Sequence, residues 1–513
     1  MRLLCCICLP CAAIGLLAQT PSTPKTSSPT IDYAAPSFQT TTRNVVLDAV
    51  VLDHKGDVVN GLARKDFVIR EDGAPQTIQS FDAVTAGNST LDATPHTVLL
   101  VDEMNTRFED FAYARYSIGR LVRKDGVRLA QPTALYLLGN DGLHVLQSYT
   151  RDPATIDAAF QRHRPVLSWR LEQRSFYNAL DRINLSLTAL QQIAIANTGV
   201  AGRKNIVWIS PGFPIFSGLQ YTADAQQELF HALRRLSNQL LRARISIYSV
   251  DPRGVEAGAA NLGTPSRITN NLEFMAYINS LSQAQDMTFG NLAIQTLATQ
   301  TGGHAFFGRN DVDREIATSL TQGNSYYTLA YAPANRNFDG KFRKIKVTII
   351  GRPDLKVQTR DGYYAMPEGQ QPDLKQQIQE LTSLLVAPIP FNGVPIPESY
   401  TTLLESPQRV SVRLAMPSTS LSWTAGAKGK LTAQVTVAAA DKDKHGAWNP
   451  QFARVYEVEL PDGMTPSSTQ LGTISFEMPY NKSDHMRFVV RDDPSGRVGS
   501  AEIDLKSLKT SGS

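Results

Sequence analysis

Cysteine is nearly missing: Cys5, Cys6, Cys8 and Cys11 are the only four in 513 residues. All lie in MRLLCCICLPCAAIGLLAQT, which has one basic residue, an apolar core and a small residue at Ala18. The segment reads as a secretory signal peptide, residues 1–18, cut near Ala18–Gln19. Its apolar part is too short to favour a membrane span. No cysteine has a lipoprotein cleavage context, since Pro10 precedes Cys11 and the other three come too early. The mature chain, secreted or held in the periplasm or cell envelope, would then lack both disulfides and thiolate metal sites. It must rest on large buried cores, for which 42% hydrophobic residues provide the material.

Charge of one sign is scarce as well. A formal +4 over so long a chain is no footprint for nucleic acid, and no basic stripe with interleaved aromatics occurs. Catalytic signatures are absent: no GxSxG, HExxH, GxxxxGK or GxGxxG. The eight histidines are scattered, with no pair at metal-ligand spacing. DKDKHG, residues 441–446, echoes a calcium loop, but two lysines offset its charge and Phe452 stands where a bidentate Glu is needed; it reads as a hairpin turn. No nucleophile–base or acid–base pair can be named, and the chain is expected not to be an enzyme.

What is present is organised around TPHTVLLVDEMNT, residues 94–106. Val98 to Val101 form an apolar run suited to a strand buried on both faces, and the run ends on Asp102. KNIVWISPG and ARISIYSVDP repeat the plan. Residues 93–323 alternate such strands (near 97–102, 133–139, 143–149, 204–210, 244–250 and 303–307) with helical patterns near 107–123, 153–162, 176–197, 223–242, 285–301 and 311–321. This predicts a doubly wound, mostly parallel α/β sheet. NDG at Asn140–Gly142 is a hairpin signal that makes one edge strand antiparallel. Residues 19–37, rich in Pro, Ser and Thr, read as a flexible spacer. Residues 38–92 and 324–366 each carry a few period-two strands, too thin a layer to close a core alone. They are expected to pair as one β-sandwich with the α/β block inserted. Residues 367–406 form a linker with an amphipathic helix placing Leu374, Ile378, Leu381 and Leu385 on one face. Residues 407–508 read as a second, independent β-sandwich.

The buried strand ending in Asp102, the edge hairpin, IVWISPG and TGGHAFF together resemble the von Willebrand factor type A (VWA) domain. The flanking VVLDAVVLDHKGDVVNGLARKDFVIREDG, SYYTLAYAP and IKVTIIGRPDLKVQTRDGYYA narrow the resemblance to a secreted bacterial branch of VWA-related proteins, over about residues 40–365. The resemblance implies a Rossmann-type sheet and a metal-ion-dependent adhesion site, in which a DxSxS loop, a Thr and an Asp hold magnesium. Here Asp102 and Thr106 match the first loop, Met104 replaces its first Ser, Arg174 or Ser175 stands for the Thr, and Ser210 or Pro211 for the Asp. A thioether is a poor ligand for a hard cation. The implied site is therefore degenerate, with Asp102, Thr106 and Ser175 as its remaining ligands and weak magnesium binding at most. The bland alternative is that Asp102 caps the next helix and Thr106 bonds to backbone.

The function expected is non-catalytic protein binding or adhesion through the carboxyl-end rim of the sheet. The alternative is a structural scaffold of the cell envelope in which the β domains bind and the α/β block is a spacer. Ser210 and Asp251 end parallel strands and should share the rim with Asp102. Arg162, Arg164, Arg170 and Arg174 crowd QRHRPVLSWRLEQR, and Arg170 and Arg174 are expected near Asp102, where guanidinium groups would hold a partner carboxylate.

Overall fold

The computed structural model describes residues 44–85, 94–124, 128–166, 176–212, 223–254, 297–306, 308–367, 374–403, 409–425, 430–460, 463–467, 469–479 and 483–505. The expected leader, the spacer, and most of the helix expected at 285–301 lie outside them.

The chain starts with strands β1 (Val45–Leu52), β2 (Phe67–Glu71), β3 (Ala74–Gln76) and β4 (Ile78–Val84). β5 (His96–Asp102), α1 (Phe108–Lys124), β6 (Thr133–Gly139), β7 (Gly142–Thr150), α2 (Pro153–Arg162), α3 (Phe176–Ala196), β8 (Lys204–Ile209), α4 (Ala223–Arg242), β9 (Ile245–Val250), β10 (Ala305–Phe306) and α5 (Val312–Asn324) follow. Their sheet has the order β10-β9-β8-β5-β6-β7, parallel throughout except for β7. β5, β8 and β9 are central, so both faces are covered. Leu99, Val101, Val207 and Tyr248 pack under α1, α2 and α5 on one side, and Val98, Leu100, Ile206 and Trp208 under α3 and α4 on the other. This is why these strands read as unbroken apolar runs.

The chain then forms β11 (Tyr326–Tyr331), β12 (Phe342–Ile349), β13 (Lys356–Gln358) and β14 (Gly362–Tyr364). These do not form a layer of their own. β11 lies between β1 and β4 in the sheet β13-β1-β11-β4, and β12 pairs β2 in the sheet β14-β12-β2-β3. The two sheets share a core of Leu47, Phe67, Ile69, Leu329, Tyr331 and Val347. Glu71 is 2% exposed inside it and accepts hydrogen bonds from the hydroxyls of Tyr331 (2.6 Å) and Tyr363 (3.2 Å). Gly302 lets the α/β block approach this pair of sheets, while Gly303 lets the chain pass close beside β9 within the block. A Cβ on Gly303 would lie 1.8 Å from the Ile247 carbonyl oxygen, and one on Gly302 would lie 2.7 Å from the Arg360 nitrogen.

After α6 (Leu374–Leu385) come β15 (Glu398–Leu403), β16 (Arg409–Pro417), β17 (Thr424–Ala425), β18 (Leu431–Lys442), β19 (Trp448–Glu459), β20 (Leu471–Pro479), β21 (His485–Asp492) and β22 (Val498–Asp504). They build one sheet β15-β16-β20 and another around β18, β21 and β22, with β19 on the free side of β18. Val412, Leu414, Val437 and Phe488 fill the space between.

The outer face of this C-terminal part packs against the rest of the chain. Ala438, Ala440, Val489 and Val498 belong to the same buried cluster as α6 and the α3/α4 side of the central sheet. Arg487 donates to the carbonyls of Leu385 (3.1 Å) and Ala387, and Gln192 of α3 donates to the Ser383 carbonyl at 2.7 Å. Helix α6 thus acts as mortar. Leu381, Leu384 and Leu385 are buried, whereas Ile378, expected on that face, is 46% exposed. Among the described residues, no helix is long and apolar enough to cross a membrane.

Candidate functional site

The parallel registers place the ends of three strands in one row. Val101 lies beside Ile209, and Ile209 beside Val250, so the next residues, Asp102, Ser210 and Asp251, line the carboxyl-end rim together. In open α/β sheets this is where ligands dock.

Asp102 is wholly buried, and its carboxylate is occupied by neighbours. Oδ1 accepts from the Asn105 amide (2.9 Å), while Oδ2 accepts from Asn105 Nδ2 (2.8 Å) and Ser210 Oγ (2.7 Å). Ser210 Oγ in turn accepts from the Gly212 amide at 3.0 Å, which fixes its proton on Asp102. Burial raises the Asp102 pKa, and the hydrogen bonds and the Arg182 charge oppose that rise. Asp102 does not cap α1, which begins only at Phe108; it closes a tight turn onto Asn105. Thr106 donates to the Asp102 carbonyl, as the backbone alternative required.

Asn105 is the residue that sequence reasoning passed over. Its Nδ2 also reaches Ser186 Oγ at 3.3 Å, and its Oδ1 accepts from Arg182 Nε at 2.7 Å. A buried chain therefore runs Asp102–Asn105–Arg182, linking a loop to α3 across 77 positions. The only signal for it was an Asn between two residues already singled out.

Glu103 is also turned inward, with Oε1 accepting from the Val166 amide (2.7 Å) and facing His163 Nε2 (3.1 Å). Asp251 is held by Arg253, whose Nη2 lies 2.7 Å from Oδ2 and also donates to the Pro211 carbonyl at 3.2 Å. Glu315, in the first turn of α5, is 2% exposed, and neither oxygen has a hydrogen-bond partner among the described residues. Burial, reinforced by Asp311 and Asp251, pushes its pKa up to about 8. Arg170, Arg174 and Ser175 lie outside the described residues.

The residues present do not fit a hard divalent cation. Magnesium asks for a near-octahedral oxygen shell. Both Asp102 oxygens already accept hydrogen bonds, and Thr106 Oγ1 is turned to backbone. Met104 is fully buried in the core beneath the sheet, so its place in the loop faces away from the rim. The strand that would bring a second carboxylate brings Ser210. Among the described residues, no group of three or more His, Cys, Asp or Glu could hold a metal ion.

No family model matches the chain, and no curated protein matches it. Among solved structures, the chain is similar to the VWA domain of SpRpn10, at 14% identity and a TM-score of 0.17, over 31% of this chain and 89% of that one. At that score the likeness adds nothing to the fold, which stands on the strand order itself.

Proposed function

We propose that this protein is a non-catalytic, VWA-related binding module of the cell envelope or its exterior, which docks a protein partner on the carboxyl-end rim of its six-stranded sheet. The observation that carries this reading is the rim network itself. Asp102, Asn105, Ser210 and Arg182, from two strand ends, a loop and a helix, are fixed by hydrogen bonds to one another. Such a network preorganises a surface, and a preorganised surface loses little on ordering when it binds. It suits catalysis poorly, because Asp102 is fully buried and both its oxygens already accept hydrogen bonds from Asn105 and Ser210. The degenerate adhesion loop then retains the position of a docking site without its cation. Secretion rests on the leader-like first 18 residues, and an adhesive role on the same rim.

The competing scaffold reading places binding on the C-terminal sheets, where β19 is a free edge and Val455 is 55% exposed. The test is chemical cross-linking and capture from an envelope fraction with the full chain, bearing either Arg253→Glu at the rim or Val455→Arg on β19. Loss of the captured partner with Arg253→Glu alone supports rim docking. Loss with Val455→Arg alone, or with neither, overturns it.

A further inference from the structure

We propose that Arg182 is the built-in cation of this rim and that its two terminal nitrogens take a carboxylate of an acidic partner with no metal ion involved. The inference rests on the reading of the rim as a docking surface and deepens it by naming what docks.

The argument starts from the amide of Asn105. Its Nδ2 faces two acceptors, Asp102 Oδ2 and Ser186 Oγ, so its Oδ1 must face the other way, where it receives Arg182 Nε at 2.7 Å. Holding a guanidinium by Nε leaves the Nη1 and Nη2 pair free to act as a fork. Among the described residues neither Nη makes a hydrogen bond, and the side chain is partly exposed. Two parallel N–H groups match the two oxygens of one carboxylate. The alternative anion, phosphate, is usually met by several cations. Among the described residues, Arg253 is already bonded to Asp251 and the Pro211 carbonyl, and Arg107 to Glu109 and Asp110. A single fork therefore favours a singly charged group.

Arg182 is also the cation whose charge acts on the buried Asp102. In this arrangement the guanidinium does what a divalent ion cannot do here, because both Asp102 oxygens are taken.

The test uses the full chain uniformly labelled with nitrogen-15, followed by NMR of the arginine side-chain and backbone N–H signals. The Arg182 signal is identified by its loss in Arg182→Lys. The probes are an end-capped Gly-Glu-Gly peptide, acetate and inorganic phosphate, each with excess EDTA or with magnesium. The expected result is a saturable shift of the Arg182 signal with the peptide and with acetate, indifferent to EDTA and magnesium, and weaker with phosphate. Arg182→Lys, a point charge in place of a fork, should weaken peptide binding by about tenfold, read from the remaining backbone signals of the Asn105 loop. No saturable shift, a preference for phosphate, or a shift that requires magnesium would overturn the proposal. If Arg253→Glu abolishes partner capture while the Arg182 signal stays silent, the rim still docks a partner and only the carboxylate assignment falls. If both fail, the docking reading falls with it.

Discussion

The two ends of the six-stranded sheet bury charge in opposite ways. At the carboxyl end the fully buried partner is the anion: Asp102 is enclosed, and its cation, Arg182, is half-buried. At the amino end the cations are enclosed. Arg203 and Lys204 are at most 1% exposed, and Arg360 is 5% exposed beside them. Arg203 donates to Asn205 Oδ1 (3.1 Å) and the Tyr248 hydroxyl (3.1 Å), and its backbone N–H donates to the Tyr326 hydroxyl (3.2 Å). Arg244 reaches across to β1, with Nη2 2.6 Å from Asp48 Oδ1 and 2.8 Å from Thr328 Oγ1. The amino end is a seam, closed by the β1/β11 sheet, and its charges fasten two layers. The carboxyl end has no such cover among the described strands, and its buried Asp102 is linked through Asn105 to the half-buried Arg182. The same α/β sheet thus separates a structural polar network from one free to recognise something.

The largest expected effect lies in the seam. Arg244 sits at φ 54°, a left-handed conformation normally left to glycine after a helix, and its ion pair with Asp48 is what compensates that strain. Arg244→Ala removes the ion-pair partner of Asp48, whose side chain is 7% exposed, and leaves it bonded to the Thr328 hydroxyl. A loss of about 3 kcal/mol in urea unfolding is expected, as for a broken buried pair. Arg244→Gly relieves the backbone and should lose roughly 1 kcal/mol less. The matching rim variant, Arg182→Gln, should cost less, about 1.5 kcal/mol, because Arg182 meets Asp102 only through Asn105 and the Asp102 oxygens keep their hydrogen bonds from Asn105 and Ser210. Equal losses at both ends would erase the distinction.

The next effect sharpens the rim. Folded Glu315 holds its proton up to about 8, against an ordinary 4.5, so its contribution to stability is complete below pH 4.5 and is lost as pH rises through about 8. Melting temperatures measured from pH 5 to 8.5 should fall along that ramp in the wild type. In Glu315→Gln the fall should shrink by an amount on the order of 2 kcal/mol. An unchanged ramp would mean that the carboxyl finds a partner when it ionises.

Lys204 gives the opposite slope at the other end. Burial, and Arg244 beside it, depress its pKa from 10.5 to about 7. Its contribution is therefore complete above pH 10.5 and is lost as pH falls through about 7. Lys204→Met should be more stable than wild type at pH 6 by about 1 kcal/mol and show no gain at pH 10. A variant less stable at both pH values would show that the bond from Nζ to the Val200 carbonyl outweighs the burial of charge.

Much of this was legible before any coordinates. Strands β5, β8 and β9 declared themselves because burial on both faces leaves only apolar residues, and the NDG turn fixed the antiparallel edge. Asp102, Ser210 and Asp251 could be placed in one row because parallel strands of similar length end together. Arg182 could not be found that way. Helical periodicity marks which face of α3 is apolar, but not which exposed cation meets a loop amide 77 residues earlier. The attachment of the C-terminal sheets was hidden for a related reason. Ala438 and Ala440 look like indifferent strand residues until α6 is seen lying against them, since small side chains signal close packing only when the neighbour is known.

The smallest expected effect is magnesium on the wild-type protein. A site of micromolar affinity at a thousandfold excess of ion would stabilise the fold by about 4 kcal/mol. For a chain of this size that means a shift of several degrees in melting temperature. Here an entering ion would have to displace three donors from Asp102, including Ser210 at 2.7 Å, and would face the Arg182 guanidinium attached through Asn105. It would gain no second carboxylate in return, and Met104 offers no oxygen. Millimolar magnesium should accordingly move the melting temperature by less than about one degree, with or without EDTA. A shift of many degrees, abolished by both EDTA and Asp102→Ala, would show that the network opens to admit a cation. The carboxyl end would then differ from the seam by a missing ion and not by a resident arginine.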